Sequence, residues 1–263
     1  MVATNYYLLN IVSNLLPSSK KALQYLVSLS CLFIFIITTT EAVASNKIVI
    51  GTGLKPPLVS SEYSLGFLDT LAKEVFRRLD IELEVIILPA ERALINANKG
   101  IEDGNLLRIK GLEKRYPNLV RVPEKMMDSE FVGYAINDIP QQTGWDRLSG
   151  YIVTFPKGWK IFEKNTINAA KTEQVRDPVQ MFKLLKEGKA DIALYEKWQG
   201  ILQAKKFGLK NYKVLEPSFV TLEMFMYLNK KHQKLVPEVA RVLKEVKQDG
   251  TYHSIFNSSL GAM

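Results

Sequence analysis

Hydrophobic and polar positions from residue 46 onward switch repeatedly between a strand-like and a helix-like period. KIVIGTG (47–53) and IELEVIIL (81–88) read as strands, and between them Phe67, Leu68, Leu71, Val75 and Leu79 recur at helical spacing from a start near Gly66. Pro89 to Arg108, PAERALINANKGIEDGNLLR, predicts a compact unit around which the rest is arranged. Ala93, Leu94 and Ala97 form the apolar stripe of a short helix with Pro89 in its first turn, Gly100 ends it in the left-handed conformation, and Leu106 and Leu107 begin a strand that ends in Arg108. LVRV (119–122) and FVGYAIN (131–137) are further strands.

The polar stretch NDIPQQTG (137–144) predicts a passage from one domain to another. A second alternating set follows: strands at YIVTF (151–155), EQVRD (173–177) and ADIALYE (190–196), with helices at GWKIFEKN (158–165), MFKLLKEG (181–188) and WQGILQAKKFG (198–208). FVTLEMFMYLN (219–229) predicts a long returning strand, and residues 237–256 two closing helices. The pattern is that of an α/β fold. One unit occurs in both halves, ALINANKGIEDGNLL and MFKLLKEGKADIALY, and places Asp103 and Asp191 at strand starts, where a structural role outweighs a ligand role.

The first 45 residues form a different kind of segment. A lead ending in Lys20-Lys21, an apolar run from Ala22 to about Ile37, and Ala42-Val43-Ala44 predict a secretory signal peptide over 1–44, with an uncleaved membrane anchor as the alternative. The chain's one cysteine, Cys31, lies within that run, so the remainder has no thiol for disulfides, thiolate metal sites or nucleophilic chemistry. The net charge of +8, which leaves 33 basic against 26 acidic residues beyond position 45, favours anionic partners. Basic residues are spread through every segment without a dense aromatic-interleaved run, so nucleic acid is not an expected partner.

Candidate chemistry concentrates on arginines. Arg108 stands at a strand's carboxyl end, where open α/β sheets hold ligands, and Arg92 sits in a helix's first turn, against the macrodipole. Two guanidinium groups can thus converge on one cleft, where a planar guanidinium matches a carboxylate with two charge-assisted hydrogen bonds. Gly158 and Trp159 follow a strand and open a helix, which offers backbone N–H groups to an anion. Phe67 is a candidate platform for a ligand, with the core as its other reading. Gly51-Thr52-Gly53 begins like a dinucleotide fingerprint, but Pro56 and Pro57 follow and no helix opens there.

Taken together, Lys55-Pro56-Pro57 after the opening strand, the Gly66-Phe67 helix start, Gly100 to Asp103, Arg115 twelve residues later, Gly188 to Asp191 and the closing QDGTYHSIF resemble the bacterial extracellular solute-binding protein family 3. These are the type II periplasmic substrate-binding proteins of amino-acid ABC transporters. The resemblance covers about residues 46–258 and implies a two-lobed type II periplasmic-binding-protein fold with a hinge of two crossover strands. Lobe I is expected over 45–137 and 220–263, and lobe II over 138–219. It further implies capture of a small polar or anionic solute, an amino acid or related carboxylate, by a monomer that delivers it to the membrane subunits of an ABC transporter, without a cofactor or metal.

By the family's spacing, Arg115 takes the place of the arginine that holds an α-carboxylate, and Glu196 that of the acid that holds the α-amino group. Leu112 stands where the family usually has threonine, and Arg108 is an additional cation. A family subset with R-A-L, G, D-G, R and Y-P-N resembles this chain more closely. Two other classes compete: a sensory ligand-binding module, and a carboxylate-based enzyme on the same fold using Glu91 with Glu196. With only His232 and His253 available, a histidine triad or metal site is not expected.

Overall fold

The computed structural model describes residues 46–60, 66–140, 144–261 and 263. The expected signal peptide, its cleavage site and Ser45 lie outside the described residues. Among the described residues, no helix is long and apolar enough to cross a membrane.

Two parallel strand sets share one sheet path. Strands β1 (Lys47–Thr52), β2 (Glu82–Ile87), β3 (Gly104–Arg108), β4 (Leu119–Arg121) and β5 (Met127–Ala135) come first, then β6 (Ile152–Pro156), β7 (Lys171–Val175), β8 (Ile192–Glu196) and the 17-residue β9 (Lys213–Asn229). The order is β2-β1-β3-β9-β5-β8-β6-β7, with β4 also on β9. In the first set β1 runs parallel to β2 and β3, and in the second β6 runs parallel to β7 and β8. Each set ends on an antiparallel partner, β9 for β3 and β5 for β8. The long antiparallel pair β5–β9 joins them, which gives the α/β, two-lobed arrangement.

Helices cover both faces because both are apolar. On the first set, α1 (Phe67–Arg77), α6 (Val236–Gln248) and α7 (Thr251–Phe256) bury Phe67, Leu71, Val75, Val239, Leu243 and Ile255 against Ile48, Ile50 and Leu106. The other face carries α2 (Ala90–Lys99), whose Leu94 and Ala97 pack with Tyr116, Phe225 and Tyr227. In the second set, successive residues of β8 alternate between two cores. Ala193 and Tyr195 join Met181, Phe182 and Ala204 of α4 (Pro178–Lys186) and α5 (Lys197–Lys206). Ile192 and Leu194 join Phe131, Phe155, Phe219 and Phe162 of α3 (Lys160–Asn165). Such alternation, with both faces buried, explains why the strand reads as one apolar run.

The duplicated unit has the same local structure in both sets. Gly100 (φ 77°) and Gly188 (φ 65°) supply the left-handed turn after α2 and α4. Asp103 then bonds β1 twice, its amide to the Val49 carbonyl (2.7 Å) and its carboxylate to the Val49 amide (2.7 Å). Asp191 does the same to Ile152 of β6, at 2.8 Å each. The two aspartates are therefore strand-start pins. Asp103 is drawn below the ordinary carboxylate range; burial opposes this, but Lys231, the Val49 amide and His232 outweigh it. His232 Nε2 lies 2.6 Å from Asp103 Oδ1.

Removal of either carboxylate leaves a strand amide without its partner. Asp103→Ala and Asp191→Ala are each expected to lower unfolding free energy by about 1–3 kcal/mol in urea titrations. A loss confined to one of them would show that the two units are not equivalent.

Candidate functional site

Arg108 occupies its strand end through an irregularity in β3. Asn105 pairs with Tyr227 and Arg108 with Phe225, so three steps along β3 oppose two along β9, and Leu107 takes up the difference at φ 57°. Leu106 and Leu107 consequently both enter the core beneath β1. Asn105 and Arg108, which strict alternation would put on opposite faces, come together instead: Arg108 Nε donates to Asn105 Oδ1 at 2.5 Å. A left-handed leucine costs about 1–3 kcal/mol, a strain of the sort that collects at functional sites. Arg108 Nη2 donates to the Ala90 carbonyl at 2.8 Å, which holds the guanidinium against the first turn of α2.

Lys55 meets Arg108 at the same turn. Gly53 packs on Ala90, and a Cβ placed at Gly53 would stand 3.4 Å from the Ala90 Cβ and 3.7 Å from Lys55 Nζ. Lys55 Nζ is buried without a hydrogen-bond partner. Burial, and then the nearby Arg108 charge, pulls its pKa down to about 8, while Glu196 pulls the other way. Burial likewise lowers Arg108 from its ordinary value, with Glu91 and Tyr116 opposing.

Glu196 comes from the second strand set. It ends β8, caps α5 by accepting from the Gln199 amide at 2.9 Å, and has 2 % of its surface exposed. Its Oε1 is buried with no hydrogen-bond partner. Burial raises its pKa to about 7, against the hydrogen bonds from Gln199. Charges at the carboxyl ends of β1 and β3 thus face an acid at the carboxyl end of β8. An amino acid suits that arrangement, with its carboxylate on the cations and its ammonium on Glu196.

The remaining candidates lie elsewhere. Arg115 has 75 % of its side chain exposed and pairs with Glu91 at 3.1 Å, and Tyr116 also donates to Glu91 at 2.8 Å. Arg92 is exposed on α2. Phe67 has no exposed surface and packs edge-on against Tyr252 and Phe256. The Gly158 amide donates to Glu163 at 3.1 Å, while Trp159 stacks on Phe162 and packs against Phe131 and Tyr195. Glu102, within the unit from Pro89 to Arg108, accepts from Asn96 at 3.2 Å. Sequence reasoning passed over Lys55 and Asn105 as site residues. A lone cation just past a strand's carboxyl end was the available signal for Lys55, whereas Asn105 had none.

No protein-family model matches the chain. An uncharacterised protein of Shewanella oneidensis is 26% identical over 176 residues, which span 63% of this chain and 65% of that protein. Among solved structures, a probable amino-acid ABC transporter extracellular-binding protein of Bacillus subtilis superposes with a TM-score of 0.70 at 19% identity, over 82% of this chain and 97% of that one. An ancestral arginine-binding protein bound to glutamine superposes with a TM-score of 0.64 at 17% identity, over 82% and 98%. These likenesses show the fold, the two-lobed fold of periplasmic binding proteins.

Glu196 makes stability depend on pH. Its folded pKa of about 7 lies above the unfolded value, so between pH 5 and 8 the folded state holds the proton more tightly and stability falls as pH rises. The full loss is of the order of 3 kcal/mol. Lys55, lowered to about 8, adds little slope below pH 7 and instead favours folding as pH rises beyond its folded value. Glu196→Gln is expected to flatten the decline between pH 5 and 8 in denaturant titrations. An unchanged slope would assign the titration to another group.

Proposed function

We propose that the chain is a solute-binding protein that captures an amino acid or related small carboxylate between its lobes for an ABC transporter. The observation that carries this reading is the opposition of Arg108 and Lys55, gathered at α2, to the buried Glu196 of β8. Opposite charges on separate lobes reward closure around a zwitterion, because each group is left incompletely paired without one. The structures it resembles support the class: one is described as an amino-acid ABC transporter extracellular-binding protein, another as an arginine-binding protein.

Within this reading lobe I comprises residues 45–137 and 220–263, lobe II residues 138–219, and β5 and β9 form the hinge. The signal peptide 1–44 directs a monomer to the periplasm, where the membrane subunits of the transporter are its partners. Binding rather than catalysis is favoured by the state of the two carboxylates that an enzyme would pair. Glu91 is engaged by Arg115 and Tyr116 at an exposed position, while Glu196 is buried at a helix cap.

Thermal-shift screening against amino acids and small carboxylates identifies the solute, and calorimetry on two variants then tests the site. Arg108→Ala is expected to weaken binding by about 2–5 kcal/mol, some thirtyfold to several thousandfold. Arg115→Ala, at an exposed ion pair, should change it by less than about 1 kcal/mol. Wild-type affinity in Arg108→Ala together with loss in Arg115→Ala would move the carboxylate to the position that family spacing assigns.

A further inference from the structure

The charges of the site do not balance for a neutral amino acid. Arg108 and Lys55 both converge on the first turn of α2, one through the Ala90 carbonyl and the other beside Gly53, which packs on Ala90. Glu91 does not neutralise them fully, since its carboxylate accepts from Arg115 and Tyr116. Facing this group, Glu196 offers one buried acid, whose Oε1 has no partner. A zwitterion with its carboxylate on Arg108 and its ammonium on Glu196 would leave the buried Lys55 ammonium with nothing to pair, an unfavourable state for a charge out of water. A cationic side chain placed there would add repulsion.

We infer that Lys55 is a specificity residue for an acidic amino acid, a solute with one ammonium and two carboxylates, of which Arg108 holds one and Lys55 the other while Glu196 takes the ammonium. The inference rests on the solute-binding reading above and names its substrate class. It also accounts for the form of the loop after β1. Lys55 shares a backbone bridge with Val59, and Leu58 and Val59 both donate to the Lys55 carbonyl, at 2.8 and 2.9 Å, so the lysine is anchored at its backbone while its Nζ turns inward. Lys55, with a pKa drawn down to about 8, remains largely charged at pH 7 and can still meet a carboxylate.

Calorimetry of the protein with L-glutamate, L-aspartate, L-glutamine and L-arginine at pH 7 tests this. The wild type should bind glutamate or aspartate at least about tenfold tighter than glutamine or arginine, since a buried charge pair is gained in one case and lost in the others. Lys55→Met should erase that preference, bringing the acidic and neutral ligands to within about threefold, whereas Lys55→Arg should retain it. Tighter binding of glutamine or arginine by the wild type, still abolished by Arg108→Ala, would overturn the inference and leave the solute-binding reading intact. Binding of none of the four, with no other solute found by screening, would overturn both. The wild-type comparison decides even if Lys55→Met does not fold.

Discussion

Strand β9 is the constraint on which the rest of the molecule depends. Its carboxyl-terminal part pairs with β3 and β4, and its amino-terminal part with β5, so one continuous strand sets the spacing of both parallel strand sets. Arg108 lies opposite Phe225, while Glu196 lies opposite Phe131, itself opposite Val220. The two ends are therefore five residues apart along β9, about 17 Å of extended chain. Long side chains projecting from each end narrow that span, and Lys55 does so far enough to feel both Arg108 and Glu196. In the proposed binding role, closure would come from bending at β5 and β9 rather than from rebuilding either core.

Around that strand the site is held by local irregularity rather than by regular pairing. The left-handed Leu107 breaks the alternation of β3 once, and the consequences are paired: two leucines enter the core and two polar residues, Asn105 and Arg108, share the opposite face. The burial of Leu106 and Leu107, which are almost fully inaccessible, offsets the strain of the turn. Arg108 is thereby fixed in place, with one donor on Asn105 and one on Ala90.

Element order was legible in the sequence because apolar spacing and glycine punctuation agree at each step. The helix from Phe67, the unit from Pro89 to Arg108 and its repeat ending at Tyr195 all fall where the periods change. The aspartates after Gly100 and Gly188 could be read as structural because the same unit recurs, and their carboxylates indeed hold neighbouring strands. Less legible was anything that depends on chain segments distant in sequence. Nothing in the residues around Leu107 marks a bulge, since leucine is a poor occupant of that conformation. Lys55 is meaningful only once Arg108 and Glu196 lie near it, and Phe67 packs against Tyr252 and Phe256, which return from the far end of the chain.

The proposed solute lies between the carboxyl ends of β3 and β8, touching both strand sets at once. A crystal structure with the solute found by screening tests that placement most directly. The expected result is a carboxylate within hydrogen-bond distance of the Arg108 guanidinium and an ammonium on Glu196, with the two lobes drawn together about β5 and β9. Solute density resting on Arg115, or confined to the surface of one lobe with Arg108 and Glu196 unengaged, would contradict it.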